Sequence, residues 1–144
     1  MKRFWTFAVV AALGLGCSRP SAQDKDAHGS AEKEAQAAGE GWLALVDSGG
    51  YAQSWTESAA YFRRTVDQAA WEKAASSVRA PLGKVQSRKL ASATYTTTTP
   101  GAPDGEYVVL LFDTSFENKQ AARETVKPMK DPDGRWRVSG YYIK

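Results

Sequence analysis

The sequence is poor in the side chains that most metal sites and covalent catalysts require. Its 144 residues include one cysteine, Cys17, and one histidine, His28. A zinc site needs several converging cysteine, histidine or carboxylate ligands, and the Ser-His and Cys-His arrangements need a histidine inside the folded domain. No glycine-rich phosphate-binding motif is present either. We therefore expect no metal and no cofactor, and a single cysteine excludes a disulfide within the chain.

Long hydrophobic runs are also absent. The longest apolar stretch, residues 4–15, has twelve residues, whereas a membrane-spanning helix takes about 20. Lys2 and Arg3 precede it, and a charged start followed by a short apolar run is typical of a secretory signal peptide. The stretch ends in Gly16 and Cys17, which resembles a bacterial lipoprotein signal.

That resemblance implies that residues 1–16 are removed and that Cys17 is acylated, anchoring the protein to a membrane through more than one acyl chain. Ser18 follows the cysteine in place of Asp, which favours the periplasmic side of the outer membrane. The alternative is an ordinary signal peptide cut after Ser21 and Ala22, which would leave an exported protein without lipid.

Net charge is low once the signal is removed. The chain has 19 basic and 16 acidic residues, a formal charge of +3. Because Lys2 and Arg3 leave with residues 1–16, 17 basic residues face 16 acidic ones, and the charge falls to +1. A near-neutral exported domain is a poor candidate for nucleic-acid binding.

The remaining sequence predicts helices first and strands second. Residues 17–30 are polar and predict a flexible tether, so that residues 31–144 form one domain. Ser30 is a candidate cap for a first helix ending at Gly49–Gly50, and a second helix is predicted from Tyr51 or Ala52 to Val66. A third begins near Thr65 or Asp67, and Thr65 to Gln68 has capping-box spacing. This helix places Trp71, Ala75, Val78 and Leu82 on one apolar stripe.

Four strands are predicted after the helices, at residues 85–98, 107–116, 121–130 and 135–143. Short turns containing Pro-Asp-Gly or Asn-Lys separate the later strands, which predicts antiparallel pairing in sequence order. The expected fold class is therefore α+β, with three N-terminal helices packed on a four-stranded antiparallel meander.

Several longer runs then resemble a known bacterial family. They are WLALVDSGGYAQSW, RAPLGKVQSRKL, PGAPDGEYVVLLFDTSF and DPDGRWRVSGYYI, which are similar to the domain of unknown function 4019 over residues 35–144. That family consists of small secreted or lipid-anchored proteins. The pattern from Gly134 to Val138 also resembles the last strand of the cone-shaped NTF2-like and cystatin-like folds, which would place a pocket between the helices and the sheet.

Candidate binding and catalytic residues lie on the strands. Asp113 shares a strand face with Val109 and Leu111, so it could be a proton-accepting carboxylate in an apolar site; alternatively it pairs with Arg123 or Lys127 at the rim.

Arg135, Arg137 and Tyr141 share a strand and could hold an anionic ligand. The alternative is a solvated edge with ion pairs to Glu106, Asp131 or Asp133. Tyr95 is a further candidate for the same pocket.

The central strand is apolar on both faces, whereas a strand of a sheet with one solvated face should alternate apolar and polar residues. Val108, Leu110, Phe112 and Phe116 form one face, and the helices can cover it. Tyr107, Val109 and Leu111 form the other and predict an interface with a second copy or an envelope protein, or a bound ligand. Alternatively, the chain itself closes over this face.

The sequence favours a non-enzymatic, lipid-anchored periplasmic domain that binds a protein partner or a small ligand. The alternative is an NTF2-like enzyme in which Asp113, with Tyr95 or Tyr141, transfers a proton within an apolar cavity.

Overall fold

The computed structural model describes residues 21–144, so Cys17 and the predicted signal lie outside the described residues. Four helices precede four strands: α1 (Ala22–Asp47), α2 (Tyr51–Thr56), α3 (Ala60–Thr65), α4 (Gln68–Arg79), β1 (Val85–Thr96), β2 (Tyr107–Phe116), β3 (Lys119–Lys130) and β4 (Trp136–Ile143). A single 3₁₀ turn, Ala80–Leu82, joins α4 to β1.

Helix α1 begins earlier than the sequence predicted. Ser21 is its cap, and the Ser21 and Asp24 side chains form a capping box with each other's backbone N–H groups, which satisfies donors at the helix start. Ser30 instead donates its hydroxyl to Glu34 within the helix. The prediction of a flexible tether is therefore wrong for residues 22–30, which are exposed but helical.

The predicted second helix is interrupted. At Ala59 the backbone N–H donates to the carbonyl of Val138 on β4 at 2.8 Å, and not to a carbonyl within the helix. Just before this break, the indole N–H of Trp42 reaches the Ser54 carbonyl at 2.8 Å and the Ser58 hydroxyl at 3.0 Å. These tertiary bonds replace one turn of helix, so α2 and α3 are separate elements.

The start of α4 matches one of its two predicted positions, Asp67, and not Thr65. Asp67 caps it, because its carboxylate accepts from the Ala70 N–H at 2.8 Å. The Thr65 hydroxyl bonds back to the Tyr61 and Phe62 carbonyls and takes no part in a capping box. Trp71 and Ala75 are buried as predicted, but Val78 is exposed.

The sheet has the predicted meander topology, with the strands hydrogen-bonded in the order β1-β2-β3-β4 and every pair antiparallel. Two residues, Glu117 and Asn118, connect β2 to β3, so β3 starts at Lys119 rather than at residue 121.

Helix α1 crosses the inner face of this sheet and contacts all four strands. The main core lies between them and includes Leu43, Val46, Leu110, Phe112 and Val126. At Gly39 the helix approaches β2 so closely that a Cβ atom would lie 2.6 Å from Cδ1 of Leu110. Helices α2 and α4 pack on each other, and α3 lies against β4.

Candidate functional site

The residues predicted to bind a ligand do not share one pocket. Asp113 lines an open depression of about 600 Å³ on the outer face of the sheet. Tyr95 lines one of about 380 Å³ beside the start of α1, and Arg135 and Arg137 line one of about 290 Å³. Tyr141 lines a fourth, of about 210 Å³, between α4 and β4.

Asp113 lies at the exposed end of the outer face. Its side chain is 59% exposed, and Arg123 on β3 donates to one carboxylate oxygen from Nη2 at 2.7 Å and from Nε at 3.1 Å. This ion pair across the hairpin is the alternative that the sequence analysis gave for Asp113. The expectation of a buried or half-buried carboxylate is wrong, because Asp113 lies where the strand face opens to solvent.

Arg137 forms ion pairs with two neighbouring carboxylates. Its Nη1 lies 2.9 Å from Asp131, and its Nη2 lies 2.8 Å from Asp133. The hydrogen bond from Arg137 lowers the pKa of Asp133 to about 2. Arg135 is exposed, and within residues 21–144 its side chain forms no ion pair. The two arginines therefore do not converge on one anion.

Tyr95 contacts α1 through its ring and its backbone, and it contacts the β1–β2 loop through its hydroxyl. Its ring stacks on His28 with centroids 4.2 Å apart. The backbone N–H donates to Glu32 at 3.0 Å, and the hydroxyl donates to Glu106 at 3.3 Å. Burial, together with Glu106, raises the pKa of the Tyr95 hydroxyl. These contacts fix the first turns of α1 against the sheet edge.

The second apolar face of β2 is partly closed by the chain itself. Tyr107 is fully buried, and its hydroxyl donates to the Pro103 carbonyl at 2.5 Å, so Tyr107 offers no surface to a partner. Val109 and Leu111 are half-buried. The β1–β2 loop also bonds to the outer face and to α3, through Lys127 to Thr99 and through Tyr61 to the Gly101 carbonyl.

A network of polar and charged side chains lies inside the fold where α1, α4 and all four strands meet. At its centre is Glu124 on β3, which is 0% exposed. Glu124 accepts hydrogen bonds from Arg88 Nε at 2.7 Å, from the Thr114 hydroxyl at 2.6 Å and from the Tyr141 hydroxyl. Each of the four strands therefore contributes one side chain to the network.

Charged residues at the ends of α1 and α4 complete this network. Arg88 donates both terminal nitrogens to Asp47 at the end of α1, at 2.7 and 2.9 Å. Arg79 at the end of α4 donates to the same carboxylate at 2.7 Å. The Arg79 guanidinium also lies 5.0 Å from the centroid of the Phe116 ring. Two arginines thus face two carboxylates, of which Glu124 is buried and Asp47 is partly exposed.

Burial and hydrogen bonding shift the pKa values of Asp47 and Tyr141 in this network. Burial alone would raise the pKa of Asp47, but the hydrogen bonds from Arg88 and Arg79 outweigh it and keep the pKa below its usual range. Burial, with the Glu124 charge, raises the pKa of the Tyr141 hydroxyl far above its usual value. Asp47 has two arginine partners and Glu124 has one, so each carboxylate is held as the acceptor of an ion pair.

Sequence reasoning missed this network. The available signal was the position of Glu124 between Ala122 and Val126 on the inward face of β3, where alternation predicts apolar residues only. A carboxylate at such a position requires a buried cation. Arg88 on β1 and Arg79 at the end of α4 provide two cations in this network. Their positions depend on helix packing that a single sequence does not specify.

The α4–β4 groove is the fourth of the depressions described above. It is lined by Trp71, Ala74, Ala75, Val78, Tyr141, Tyr142 and Ile143. Among residues 21–144, the large hydrophobic side chains that are exposed are Val78, at 49%, and Tyr142, at 44%. Val78 lines this groove from α4 and Tyr142 lines it from β4. Tyr141, which also lines it, donates its hydroxyl to Glu124 of the buried network.

Within the described part of the chain, no group of three or more histidine, cysteine or carboxylate side chains could hold a metal ion. No helix between residues 21 and 144 combines the length and apolar character needed to cross a membrane.

The fold and its contacts define the class to which the chain belongs: an α+β domain with N-terminal helices, of which α1 crosses one face of a four-stranded antiparallel meander. Within that class, the family model described as "Protein of unknown function (DUF4019)" matches residues 38–141. The chain belongs to this family, which confirms the resemblance noted from the sequence. No curated protein and no solved structure matches the chain, so the NTF2-like analogy stays a prediction.

Proposed function

We propose that this protein is a non-enzymatic binding domain of the bacterial cell envelope, anchored by acylated Cys17, and that it binds a protein partner in the α4–β4 groove. The observation that carries the proposal is that the exposed large hydrophobic side chains of residues 21–144, Val78 and Tyr142, belong to two residues that line the same depression. Exposed apolar side chains that cluster at one place mark interaction surfaces.

The size of the groove favours a protein segment over a small molecule. Its volume of about 210 Å³ lies below the roughly 300–1,000 Å³ typical of small-molecule sites. Its walls are formed by α4 and the edge strand β4. A protein segment could extend along them beyond the depression.

The alternative, an NTF2-like enzyme with a cone-shaped pocket and Asp113 as the proton acceptor, has less support. Asp113 is exposed and paired with Arg123, and Tyr95 and Tyr141 line different depressions. A catalytic carboxylate is instead expected within a dry cavity beside its substrate. The outer-face interface at Val109 and Leu111 is also less favoured, because both residues are already half-buried.

Site-specific photo-crosslinking in intact cells tests the binding function. A photoreactive amino acid replaces Val78 or Tyr142 in the full-length protein, and Lys73, which is exposed on α4 outside the groove, is the matched control position. We expect one dominant protein adduct from positions 78 and 142 and none from position 73. Equal labelling from all three positions, or no adduct from the groove, would contradict the proposal.

The mass of the adduct identifies the kind of partner. An adduct at twice the mass of the chain would indicate a second copy, and any other discrete mass would indicate a different envelope protein. Adducts to lipid alone would count against a protein partner.

A further inference from the structure

We propose that the partner enters the α4–β4 groove as an extended segment and pairs with β4 as a fifth strand of the sheet. This inference rests on the proposed function, since it specifies the form in which a protein partner binds in the same groove. It follows from the backbone of β4, whereas the proposed function was argued from side chains.

The first observation is the direction of the backbone groups at the end of β4. Lys144 exchanges both of its backbone hydrogen bonds with Arg123 at 2.9 Å, so residue 144 faces β3. Successive residues of a strand point their N–H and C=O groups to opposite edges. The N–H and C=O groups of Ile143 and Tyr141 therefore point away from β3, along the open edge that borders the groove.

The second observation is that two other edge groups of the sheet have partners outside it. On β4 itself, the Val138 carbonyl accepts the Ala59 N–H at 2.8 Å. On the opposite edge strand, β1, the Tyr95 N–H donates to the Glu32 carboxylate at 3.0 Å. Between residues 21 and 144, no group outside the sheet bonds to the backbone of Tyr141 or Ile143. An open edge of this kind is a template for pairing with another chain.

The third observation is the opposite wall of the groove. Helix α4 presents Trp71, Ala74, Ala75 and Val78 toward the edge of β4, and two of these four side chains are only methyl groups. A paired strand lies about 4.8 Å from its neighbour and points alternate side chains to each face. The incoming segment should therefore place apolar side chains at every second position, against α4.

Charge distinguishes a different protein from a second copy. Lys127 lies 5.2 Å from the centroid of the Tyr142 ring, and its side chain passes over Gly140. Two copies paired antiparallel about Tyr142 would bring Lys144 of one beside Gly140, and therefore Lys127, of the other. This repulsion disfavours self-pairing, whereas an acidic residue in a partner segment would be attracted to the same lysines.

The exposed apolar area is also too small for a stable dimer. A stable dimer buries about 800 Å² on each partner, while the large exposed hydrophobic side chains of residues 21–144 are confined to Val78 and Tyr142. The expected occupant is thus an extended segment of another protein, apolar at alternate positions and carrying at least one carboxylate.

The test uses the full-length mature protein, purified in detergent micelles, and a phage-displayed library of random peptides of about twelve residues, a length that covers any ordinary strand. Selection on the wild type is followed by counter-selection on Val78→Asp. We expect enriched peptides with alternating apolar residues and a carboxylate. When such a peptide binds, the Tyr141 and Ile143 amide protons should become protected from exchange.

Matched variants separate backbone pairing from side-chain contact. Ile143→Pro removes the outward N–H, and proline is tolerated where a strand N–H faces away from the sheet. Ile143→Ala keeps that N–H and removes most of the side chain. We expect Ile143→Pro to weaken peptide binding about tenfold more than Ile143→Ala does. N-methylation of the peptide at alternate positions should cause a similar loss, and this scan leaves the protein unchanged should Ile143→Pro unfold it.

The outcomes distinguish this inference from the proposed function. Peptides that depend on Val78 but tolerate N-methylation at every position would overturn the fifth strand and leave the binding groove intact. Failure to find any peptide that distinguishes the wild type from Val78→Asp would count against both. Self-association of the wild type that protects the Tyr141 and Ile143 amides without peptide would overturn the assignment to a different protein.

Discussion

At the scale of single residues, the fold depends on one buried carboxylate. Glu124 is held by Arg88, Thr114 and Tyr141, and its replacement leaves Arg88 with one anionic partner in place of two. The sequence does not reveal this dependence, because Glu124 and Arg88 look like ordinary charged residues on two separate strands. Their shared position on the inward face depends on strand register, which the pattern of residues fixes only together with the turns.

Glu124→Gln should destabilise the protein by roughly 3 kcal/mol, the size expected when one partner of a buried ion pair is lost. Urea denaturation of the full-length protein provides the measurement. Asp113→Asn is the matched control, because it breaks an exposed ion pair that should contribute no more than about 1 kcal/mol. Equal effects of the two substitutions would show that the Glu124 network is not a main source of stability.

Asp47 should make stability depend on pH in the acid range. Its folded pKa is depressed below the ordinary value of 3.8, so its contribution to stability is complete above pH 4 and is lost as the pH falls through the lower folded pKa. Asp133, whose pKa is about 2, acts in the same direction. We expect the stability difference between wild type and Asp47→Asn to shrink between pH 5 and pH 2 in urea titrations. A difference that is constant with pH would contradict the assignment.

At the scale of elements, the strands follow the sequence more closely than the helices do. Alternation and turn residues placed β2 at its observed bounds and the meander in its observed order. The helix errors share a physical cause. Bonds to distant residues, such as Ala59 to Val138, break a helix that local periodicity predicts as continuous, and the Ser21 capping box extends α1 into a segment with no apolar stripe.

The approach of α1 to β2 gives a prediction at this scale. Gly39→Ala places a Cβ 2.6 Å from Leu110 Cδ1, and the crowding should cost about 1–3 kcal/mol. Gly41→Ala is the control in the same helix: its Cβ would meet no atom within 4 Å, so it should stabilise by up to about 1 kcal/mol through helix propensity. Thermal unfolding of both variants checks this. If Gly39→Ala stabilised as much as Gly41→Ala, the close packing of α1 on β2 would be refuted.

At the scale of the whole molecule, only part of the candidate site was accessible from sequence. Tyr141 was singled out, and it does line the α4–β4 groove. Val78 was assigned to the core because it follows the helical stripe of Trp71 and Ala75, yet it is exposed and lines the groove. Sequence periodicity identifies the apolar side of a helix, but not how far along that side its neighbours extend.

The proposed membrane anchoring is tested separately from the binding groove, at Cys17. If the lipoprotein signal is processed as proposed, mass spectrometry of the mature protein should find an acylated N-terminal cysteine. Cys17→Ser should abolish the lipid and release any exported chain into the soluble fraction. A mature N-terminus at residue 23 without lipid would establish the ordinary signal peptide instead.

The central claim is that Val78 and Tyr142 form one binding surface. The most direct measurement places the photoreactive amino acid at position 142 in intact cells and compares the adduct with and without Val78→Asp on α4. We predict a discrete protein adduct that disappears with Val78→Asp while the chain stays folded and abundant. An adduct of unchanged intensity in the Val78→Asp protein would show that the partner contacts Tyr142 without occupying the groove, and the account would be wrong.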